Sequence, residues 1–199
     1  MALSAKGGRE MLVCCADIRA LDNARPLLAG RGGHAPSGFA RSLLLVAARE
    51  LWGWRALPEV AYLRSGRPYF PAEPRRYFSL SHTRTHVLAA VAEVPVGADV
   101  EAARERPARL WQRLMSERER RDFEPYELWC LRESCYKLMD GGDLRTMPFR
   151  REGGRIAAPV EGVSCRLYRP DEGCFAAACA LGAEPPEGLL LVPPREICS

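Results

Sequence analysis

Apolar and polar residues alternate along the chain between residues 94 and 101. The even-numbered positions are apolar: Val94, Val96, Ala98 and Val100. The odd-numbered positions are Pro95, Gly97, Asp99 and Glu101. A period of two predicts a β-strand, because alternate side chains of a strand point to opposite faces. The pattern therefore places the carboxylates of Asp99 and Glu101 on the same face of one strand.

Three other segments repeat their apolar residues at helical spacing. The first predicted helix covers about residues 39–52, and a charged helix is predicted over residues 102–122. The third predicted helix covers residues 129–140 and stops at a pair of glycines. Glu133 and Lys137 lie one turn apart on this third helix, outside its apolar stripe. The helix therefore presents an acid and a base together.

The remaining apolar runs are short and predict strands. They cover residues 11–18, 77–82 and 86–92, with further short strands after about residue 147. Residues 86–100 resemble residues 174–192, since each stretch has an alanine-rich strand, a turn and a second strand. Two similar halves packed together would place ligands in the cleft between them. The alternative is that two alanine-rich strands look alike by composition alone.

Composition excludes several classes of protein. A chain of 199 residues, 47% of them hydrophobic, can bury a sizeable core. A formal net charge of +4 does not indicate nucleic-acid binding, and no apolar run of about 18 residues predicts a membrane span. The apolar stretch near the N-terminus is too short for a signal peptide. The eight cysteines include no Cys-x-x-Cys pair, so we expect buried thiols in a reducing cytoplasm and no zinc site.

Three carboxylates, Asp99, Glu101 and Glu133, are the candidate chemistry of this chain. Two acids on a strand and a third on a helix suit a hard divalent cation such as Mg²⁺, shared with a phosphate. The hydroxyls and imidazole of the Ser-Leu-Ser-His segment at residues 79–82 suit phosphate oxygens. Each motif also has a simpler interpretation, namely a polar strand face, a solvent-exposed i,i+4 pair and a structural histidine.

The order and spacing of four motifs carry more information than any one of them. They are Gly-Arg-Pro at 66–68, Phe-Ser-Leu-Ser-His at 78–82, Gly-x-Asp-x-Glu at 97–101 and Trp-x-x-Arg-Glu-Ser-x-x-Lys at 129–137. With these motifs, residues 41–147 resemble the 4'-phosphopantetheinyl transferases, specifically the larger, pseudo-dimeric Sfp-like type. The resemblance implies an α+β fold of two similar α/β halves with pseudo-twofold symmetry. We expect an N-terminal half at residues 1–102 and a C-terminal half at residues 103–199.

The resemblance also implies roles for individual residues. Asp99, Glu101 and Glu133 would bind Mg²⁺, with Mn²⁺ as an alternative. Coenzyme A would be the co-substrate, and the implied contacts to it are Arg41, Arg64, Gly66, Arg67, Ser79, Ser81, His82, Arg132 and Lys137. Glu133, Lys137 and His82 would be catalytic, with Glu133 as the candidate general base. Glu119 resembles a further acidic position behind the pantetheine arm.

The implied reaction moves 4'-phosphopantetheine from coenzyme A to a serine of an acyl or peptidyl carrier protein and releases 3',5'-ADP. Such carriers are acidic, which suits the arginine-rich residues 104–121, although a solvated amphipathic helix explains these arginines equally well. We expect a cytoplasmic monomer that binds neither nucleic acid nor membrane. The competing hypotheses are a Mg²⁺-dependent phosphohydrolase and a non-catalytic coenzyme A-binding module. A metal pair formed by His82 and His86 on a helix is disfavoured by the predicted strand.

Overall fold

A computed structural model describes residues 10–21, 24–30 and 34–198. Within these residues the chain forms eleven strands, four α-helices and a short 3₁₀ helix at Pro194–Glu196. The strands are β1 (Met11–Asp17), β2 (Ala61–Tyr62), β3 (Pro68–Tyr69), β4 (Tyr77–His82), β5 (His86–Ala92), β6 (Val96–Ala102), β7 (Arg150–Glu152), β8 (Arg155–Ala157), β9 (Val163–Asp171), β10 (Cys174–Leu181) and β11 (Leu190–Leu191). The helices are α1 (Ala35–Trp52), α2 (Ala108–Leu114), α3 (Glu117–Asp122) and α4 (Pro125–Met139).

The two main sheets have the same core topology. The first has the strand order β11-β1-β5-β4, and the second has the order β6-β10-β9. In each, a strand (β1 or β6) leads to a long helix (α1 or α4) and then to an antiparallel hairpin. The second strand of that hairpin pairs antiparallel with the opening strand. The α+β class is confirmed, and the repeated topology is consistent with two similar halves.

With the expected division at residue 102, each half would contribute a strand to the sheet of the other. The alanine-rich strands β5 and β10 have equivalent positions, but β6 follows β5 into the second sheet, and β11 follows β10 into the first. The division into halves at residue 102 remains a prediction. Because β6 precedes that division and yet pairs with β10, the two halves are connected through their sheets and not only through a linker.

The two sheets pack face to face, with α1 on the outer face of the first sheet and α4 on the outer face of the second. The buried apolar residues therefore form three clusters, one at each of these interfaces. Leu43 and Leu44 of α1 pack on the first sheet, and Leu128 and Leu131 of α4 pack on the second. The two sheets face each other through mostly small apolar residues of β1, β5, β6 and β10. These residues include Val13, Leu88, Ala90, Val96, Ala98, Val100, Ala176, Ala178 and Ala180. Each large aliphatic side chain buried in this way contributes about 1.5–3 kcal/mol of transfer free energy.

The helix bounds differ from the sequence-based expectations. The single helix expected over residues 102–122 is wrong, since the chain forms α2 and α3 with a break at Met115 and Ser116. Ser116 caps α3 through a reciprocal capping box with Glu119, which starts a new helix there. The structure also begins α1 and α4 four residues earlier than expected. Among the described residues, no helix is both long and apolar enough to cross a membrane.

Gly97 on β6 is the point of closest approach between the second sheet and α4. A Cβ at this position would overlap the carbonyl oxygen of Ser134 and the backbone nitrogen of Leu138. Because both atoms belong to helix backbone, neither can move aside as a side chain would. The absence of a side chain at Gly97 therefore determines how closely α4 lies against Asp99 and Glu101.

Replacing Gly97 by alanine should push α4 away from β6. We expect Gly97→Ala to lower the free energy of unfolding by about 1–3 kcal/mol, the usual range for overpacking. Urea denaturation would measure the change. Gly188→Ala is the matched control, because an added Cβ there meets no atom within 4 Å and the residue lacks a positive φ. Equal stability of the two variants would contradict the close-packing explanation.

Candidate active site

Asp99 is buried between β6, β4 and α4, and its two carboxylate oxygens have different surroundings. Oδ1 accepts hydrogen bonds from Lys137 Nζ at 2.6 Å and from Ser81 Oγ at 2.7 Å. Oδ2 is also buried, yet no hydrogen-bond donor reaches it from the described residues. A buried oxygen without a partner is costly to a fold, typically about 1–3 kcal/mol and more for a charged group. Oδ2 is therefore a position at which a bound cation would be stabilised.

Glu101 and Glu133 complete an acidic group around Asp99. Burial raises the pKa of each of these two glutamates, and the charge of Asp99 raises both further. A hydrogen bond from Trp129 opposes part of the rise in the pKa of Glu101. The nearby charge of Lys137 does the same for the pKa of Glu133. Mutual repulsion among partly desolvated carboxylates is relieved when a divalent cation binds between them. The donor set, all carboxylate oxygen, fits a hard cation.

Lys137 connects the helix to the strand that carries the acids. Besides Asp99 Oδ1, its Nζ contacts the carbonyl oxygen of Ala98 at 3.2 Å. The simpler interpretation of Glu133 and Lys137 as an isolated surface pair is therefore wrong, because Lys137 bonds across to β6. The sequence motifs do not predict the hydrogen bond from Trp129 to Glu101. The spacing of four residues between Trp129 and Glu133, which places both on the same face of α4, is the signal that indicates it.

Ser79 and Ser81 share one face of β4, because alternate residues of a strand face opposite ways, but their hydroxyls have different partners. Ser81 joins the acidic group through Asp99. The hydroxyl of Ser79 bonds only to the backbone of Ala98 among the described residues, accepting from its nitrogen at 2.9 Å and approaching its oxygen at 3.4 Å. The structure therefore does not bring the Ser79 hydroxyl into the site expected for it. Ser79 instead joins the edges of the two sheets.

His82 lies on the other face of β4, beside Arg41 of α1. Both residues line a cavity of about 180 Å³, together with the apolar residues Leu44, Val60, Pro68, Phe78 and Leu80. Desolvation lowers the pKa of His82, and the nearby charges of Lys137 and His34 lower it further. Arg41 Nη1 donates to the carbonyl oxygen of Ala29 at 3.2 Å, whereas its Nε is buried without a partner among the described residues. The cavity thus combines apolar walls with a buried donor.

The Gly-Arg-Pro motif forms the turn between β2 and β3. The turn requires Gly66, which has a φ of 90°. Arg64 is exposed at the turn. Arg67 reaches the last turn of α4, where its Nη1 donates to the carbonyl oxygen of Leu138 at 3.1 Å. Arg67 therefore connects this hairpin to the helix that carries Glu133 and Lys137, a contact that sequence reasoning missed.

Arg132 points away from the acidic group and is almost completely buried. Its Nη2 bonds to Glu119 Oε1 at 2.8 Å, its Nε to the carbonyl oxygen of Met147 at 2.9 Å and its Nη1 to that of Leu114 at 2.5 Å. Because all three nitrogens have protein acceptors, the structure does not bring the Arg132 guanidinium to the place expected for coenzyme A phosphates. Arg132 instead anchors α4 to the end of α2, to α3 and to the loop that follows α4.

Glu119 is the acidic partner of this buried ion pair. Burial by itself would raise its pKa, but hydrogen bonds from the backbone and hydroxyl of Ser116, the charge of Arg132 and the backbone N–H of Phe149 leave the pKa lowered. Beside the pair lies a cavity of about 460 Å³, whose lining includes four further arginines: Arg113, Arg118, Arg145 and Arg150. The pair therefore supports the floor of a basic cavity.

Comparisons with known proteins match the part of the chain that contains this acidic group. A family model described as the 4'-phosphopantetheinyl transferase superfamily matches residues 95–170, which include Asp99, Glu101, Glu133 and Lys137. A 4'-phosphopantetheinyl transferase from Bacillus subtilis is 27% identical over 130 residues, which are 60% of this chain and 51% of that protein. A second from that organism, 4'-phosphopantetheinyl transferase ffp, is 27% identical over 145 residues, 64% of this chain and 65% of that protein.

A third relative, 4'-phosphopantetheinyl transferase Sfp from Bacillus subtilis strain 168, is 26% identical over 150 residues, 66% of this chain and 67% of that protein. The alignments thus span between about half and two thirds of the length of these relatives. The α+β fold, the acidic site and these matches point to one class of protein. Residues 95–170 match the 4'-phosphopantetheinyl transferase superfamily, and the chain is similar to the Sfp-like type, as its motifs predict.

The buried ion pair provides a test of how α4 is held. Replacing Arg132 by methionine leaves the carboxylate of Glu119 buried without its charge partner, so we expect a loss of about 3–5 kcal/mol of unfolding free energy. Arg118→Met is the control, because Arg118 pairs with Asp122 at the surface and such pairs contribute about 0–1 kcal/mol. Urea denaturation would measure both variants. A loss for Arg132→Met no larger than the control value would contradict the anchoring role.

The acidic group provides a second test. Because the pKa of Glu101 is raised, its ionised form is less favourable in the folded chain than in the unfolded chain. At pH 7 and without divalent metal, we therefore expect Glu101→Gln to increase the melting temperature, and Mg²⁺ to stabilise the wild type more than the variant. Glu161→Gln, at an exposed residue outside the group, should change neither value. A lower melting temperature for metal-free Glu101→Gln would contradict the repulsion.

Proposed function

We propose that this protein transfers 4'-phosphopantetheine from coenzyme A to a serine hydroxyl of an acyl or peptidyl carrier protein and releases 3',5'-ADP. The observation that carries the proposal is the buried Asp99, whose Oδ1 bonds to Lys137 and Ser81 while its Oδ2 has no donor among the described residues. Asp99 and Lys137 lie within the region that matches the family model. The three relatives named as 4'-phosphopantetheinyl transferases support the same reaction.

Asp99, Glu101 and Glu133 are the residues that would hold the metal, for which we propose Mg²⁺ with Mn²⁺ as the alternative. Their oxygen donors are the type that both cations prefer. When bound, such an ion would stabilise negative charge on phosphoryl oxygens. Asp99 is the strongest candidate ligand, since its Oδ2 is the buried oxygen without a donor.

The residues of the chain itself have distinct tasks in the proposed reaction. The serine oxygen of the carrier bonds to the phosphorus that bears pantetheine, and the bond from that phosphorus to the oxygen of the 3',5'-ADP phosphate breaks. Glu133 would accept the serine proton, because a carboxylate that binds a cation through one oxygen keeps a second oxygen free. Lys137, beside Asp99, places a positive charge where the diphosphate would gain negative charge.

We propose that coenzyme A lies between the cavity of Arg41 and His82 and the acidic group. The apolar walls of that cavity suit a heteroaromatic ring, and Arg41 and His82 suit phosphate oxygens. Arg64, Gly66 and Arg67 belong to the neighbouring turn. Arg132 acts indirectly, because its hydrogen bonds hold α4 in place.

The proposed partner is an acidic carrier protein. We also propose that the chain acts as a monomer in the cytoplasm. The basic cavity lined by Arg113, Arg118, Arg145 and Arg150 has the charge that such a carrier requires. These charges lie next to the Arg132–Glu119 pair, and Arg132 precedes Glu133 on α4, so a carrier bound there would be close to the helix that carries Glu133.

Mass spectrometry of carrier proteins would test the reaction directly. The protein is incubated with coenzyme A, Mg²⁺ and a panel of apo carrier proteins, and we expect one carrier to gain the mass of a phosphopantetheine group. Asp99→Asn should reduce the rate by about 100-fold or more, because it removes the charge that holds both the cation and Lys137. Glu161→Gln, exposed and outside the acidic group, should keep the wild-type rate.

The same experiment separates the competing functions. Hydrolysis of coenzyme A with no mass gain on any carrier would replace the transferase with a phosphohydrolase. Metal-independent binding of coenzyme A with no reaction would indicate a binding module. Wild-type activity in Asp99→Asn would overturn the proposed role of Asp99 as the metal ligand.

A further inference from the structure

A second group of potential metal ligands lies at one end of the two sheets, apart from the acidic group. It consists of His86 at the start of β5, Asp171 at the end of β9 and Cys174 at the start of β10. One ligand atom from each of the three lies within 4.8 Å of the other two. His86 and Cys174 are buried, and Asp171 is partly exposed. The proposed transfer reaction uses none of them.

The imidazole of His86 is held in one orientation from both sides. Its Nε2 lies 3.3 Å from Asp171 Oδ2, and its Nδ1 lies 3.0 Å from Thr85 Oγ1. Thr85 Oγ1 is in turn 3.2 Å from Thr83 Oγ1. Histidines that bind metals commonly donate the other ring N–H to such an outer partner, which fixes the tautomer. With Nδ1–H donating to Thr85, the lone pair of Nε2 can bind a cation, which would lie between Nε2 and Asp171 Oδ2.

The carboxylate of Asp171 is also held in one orientation, and its Oδ2 can exchange Arg19 for a metal ion. Oδ1 accepts from the backbone nitrogen of Gly173 at 2.9 Å. Oδ2 accepts from Arg19 Nη2 at 2.8 Å and faces His86. Arg19 is more than half exposed and bonds to both oxygens of Asp17, so it can release Asp171 and keep a carboxylate partner.

The chemistry of Cys174 argues against a nucleophile in this group. Burial first, and then the charge of Asp171, raise the pKa of the thiol to about 12. The ring nitrogens of His86 contact Asp171 and Thr85, and among the described residues no hydrogen bond joins the ring to the Cys174 thiol, so the ring is not positioned as a base for that thiol. A thiol in these surroundings becomes a thiolate when a cation binds it directly.

We propose that His86, Asp171 and Cys174 bind Zn²⁺, with water as the fourth ligand. Thiolate and imidazole donors select zinc over Mg²⁺, which prefers oxygen ligands such as those around Asp99. Two cavities, of about 360 Å³ and 440 Å³, are both lined by Arg19, His86 and Asp171, which gives room for the water. The inference does not depend on the proposed transfer reaction.

Such a zinc ion would join the two sheets. His86 belongs to the first sheet, whereas Asp171 and Cys174 flank the β9–β10 turn of the second. The expectation of no zinc site considered only Cys-x-x-Cys spacing. Asp171 and Cys174 do have the three-residue offset of a metal-binding turn, and the fold adds His86 from 85 residues earlier in the sequence.

Cobalt substitution tests the site, because thiolate ligation gives Co²⁺ a near-ultraviolet charge-transfer band that oxygen ligation does not. Full-length protein is treated with chelator and titrated with Co²⁺, and we expect the band to saturate at about one ion per chain. Cys174→Ser should abolish the band, and His86→Gln should weaken Co²⁺ binding at least about 10–100-fold. Cys198→Ser, at a cysteine outside the group, should keep both band and affinity.

Two further variants keep the test decisive if Cys174→Ser fails to fold. Arg19→Gln removes the residue that competes for Asp171, so we expect tighter Co²⁺ binding than in the wild type, a result that misfolding cannot produce. Asp99→Asn should leave the band unchanged, because Asp99 belongs to the acidic group. The proposal is overturned by the absence of the band in the wild type, by a band that persists in folded Cys174→Ser, or by unchanged or weaker binding in Arg19→Gln.

Discussion

The close contact of α4 with β6 is the constraint on which the candidate active site depends. Gly97 has no side chain, so the backbone of α4 near Ser134 and Leu138 lies against the strand. One consequence is that Lys137 reaches Asp99 at 2.6 Å. A second is that Glu133 and Glu101 lie close enough to Asp99 for its charge to raise their pKa values. The site is therefore a property of helix–sheet packing, because neither element carries it alone.

This packing places like charges where they oppose folding. Partly desolvated carboxylates repel one another, and Lys137 compensates only the Oδ1 side of Asp99. Folds retain such arrangements at functional sites when the rest of the molecule supplies the stability. Here the support includes the buried Arg132–Glu119 pair and the contact of Arg67 with the last turn of α4. Both interactions hold the helix from positions outside the acidic group.

The sequence motifs predicted which acidic residues come together, but they did not predict the hydrogen-bond partners of the other motif residues. Asp99, Glu101, Glu133 and Lys137 assemble as expected, since strand and helix periodicity determine which face each side chain occupies. The guanidinium of Arg132 and the hydroxyl of Ser79 do not reach the expected positions. A motif places a residue on an element, but whether its polar atoms bond to backbone or face a cavity depends on partners distant in the sequence, such as Leu114, Met147 and Ala98.

Periodicity and motif order by themselves determined the α+β class, the family resemblance and the strand face that carries the acids. They could do so because these features depend on local backbone geometry and on residues a few positions apart. Only the tertiary structure decided that β6 joins the second sheet and β11 the first. It alone brought His86 to Asp171 and Cys174. These contacts depend on long-range strand pairing and on the packing of two sheets, which no local pattern in the sequence encodes.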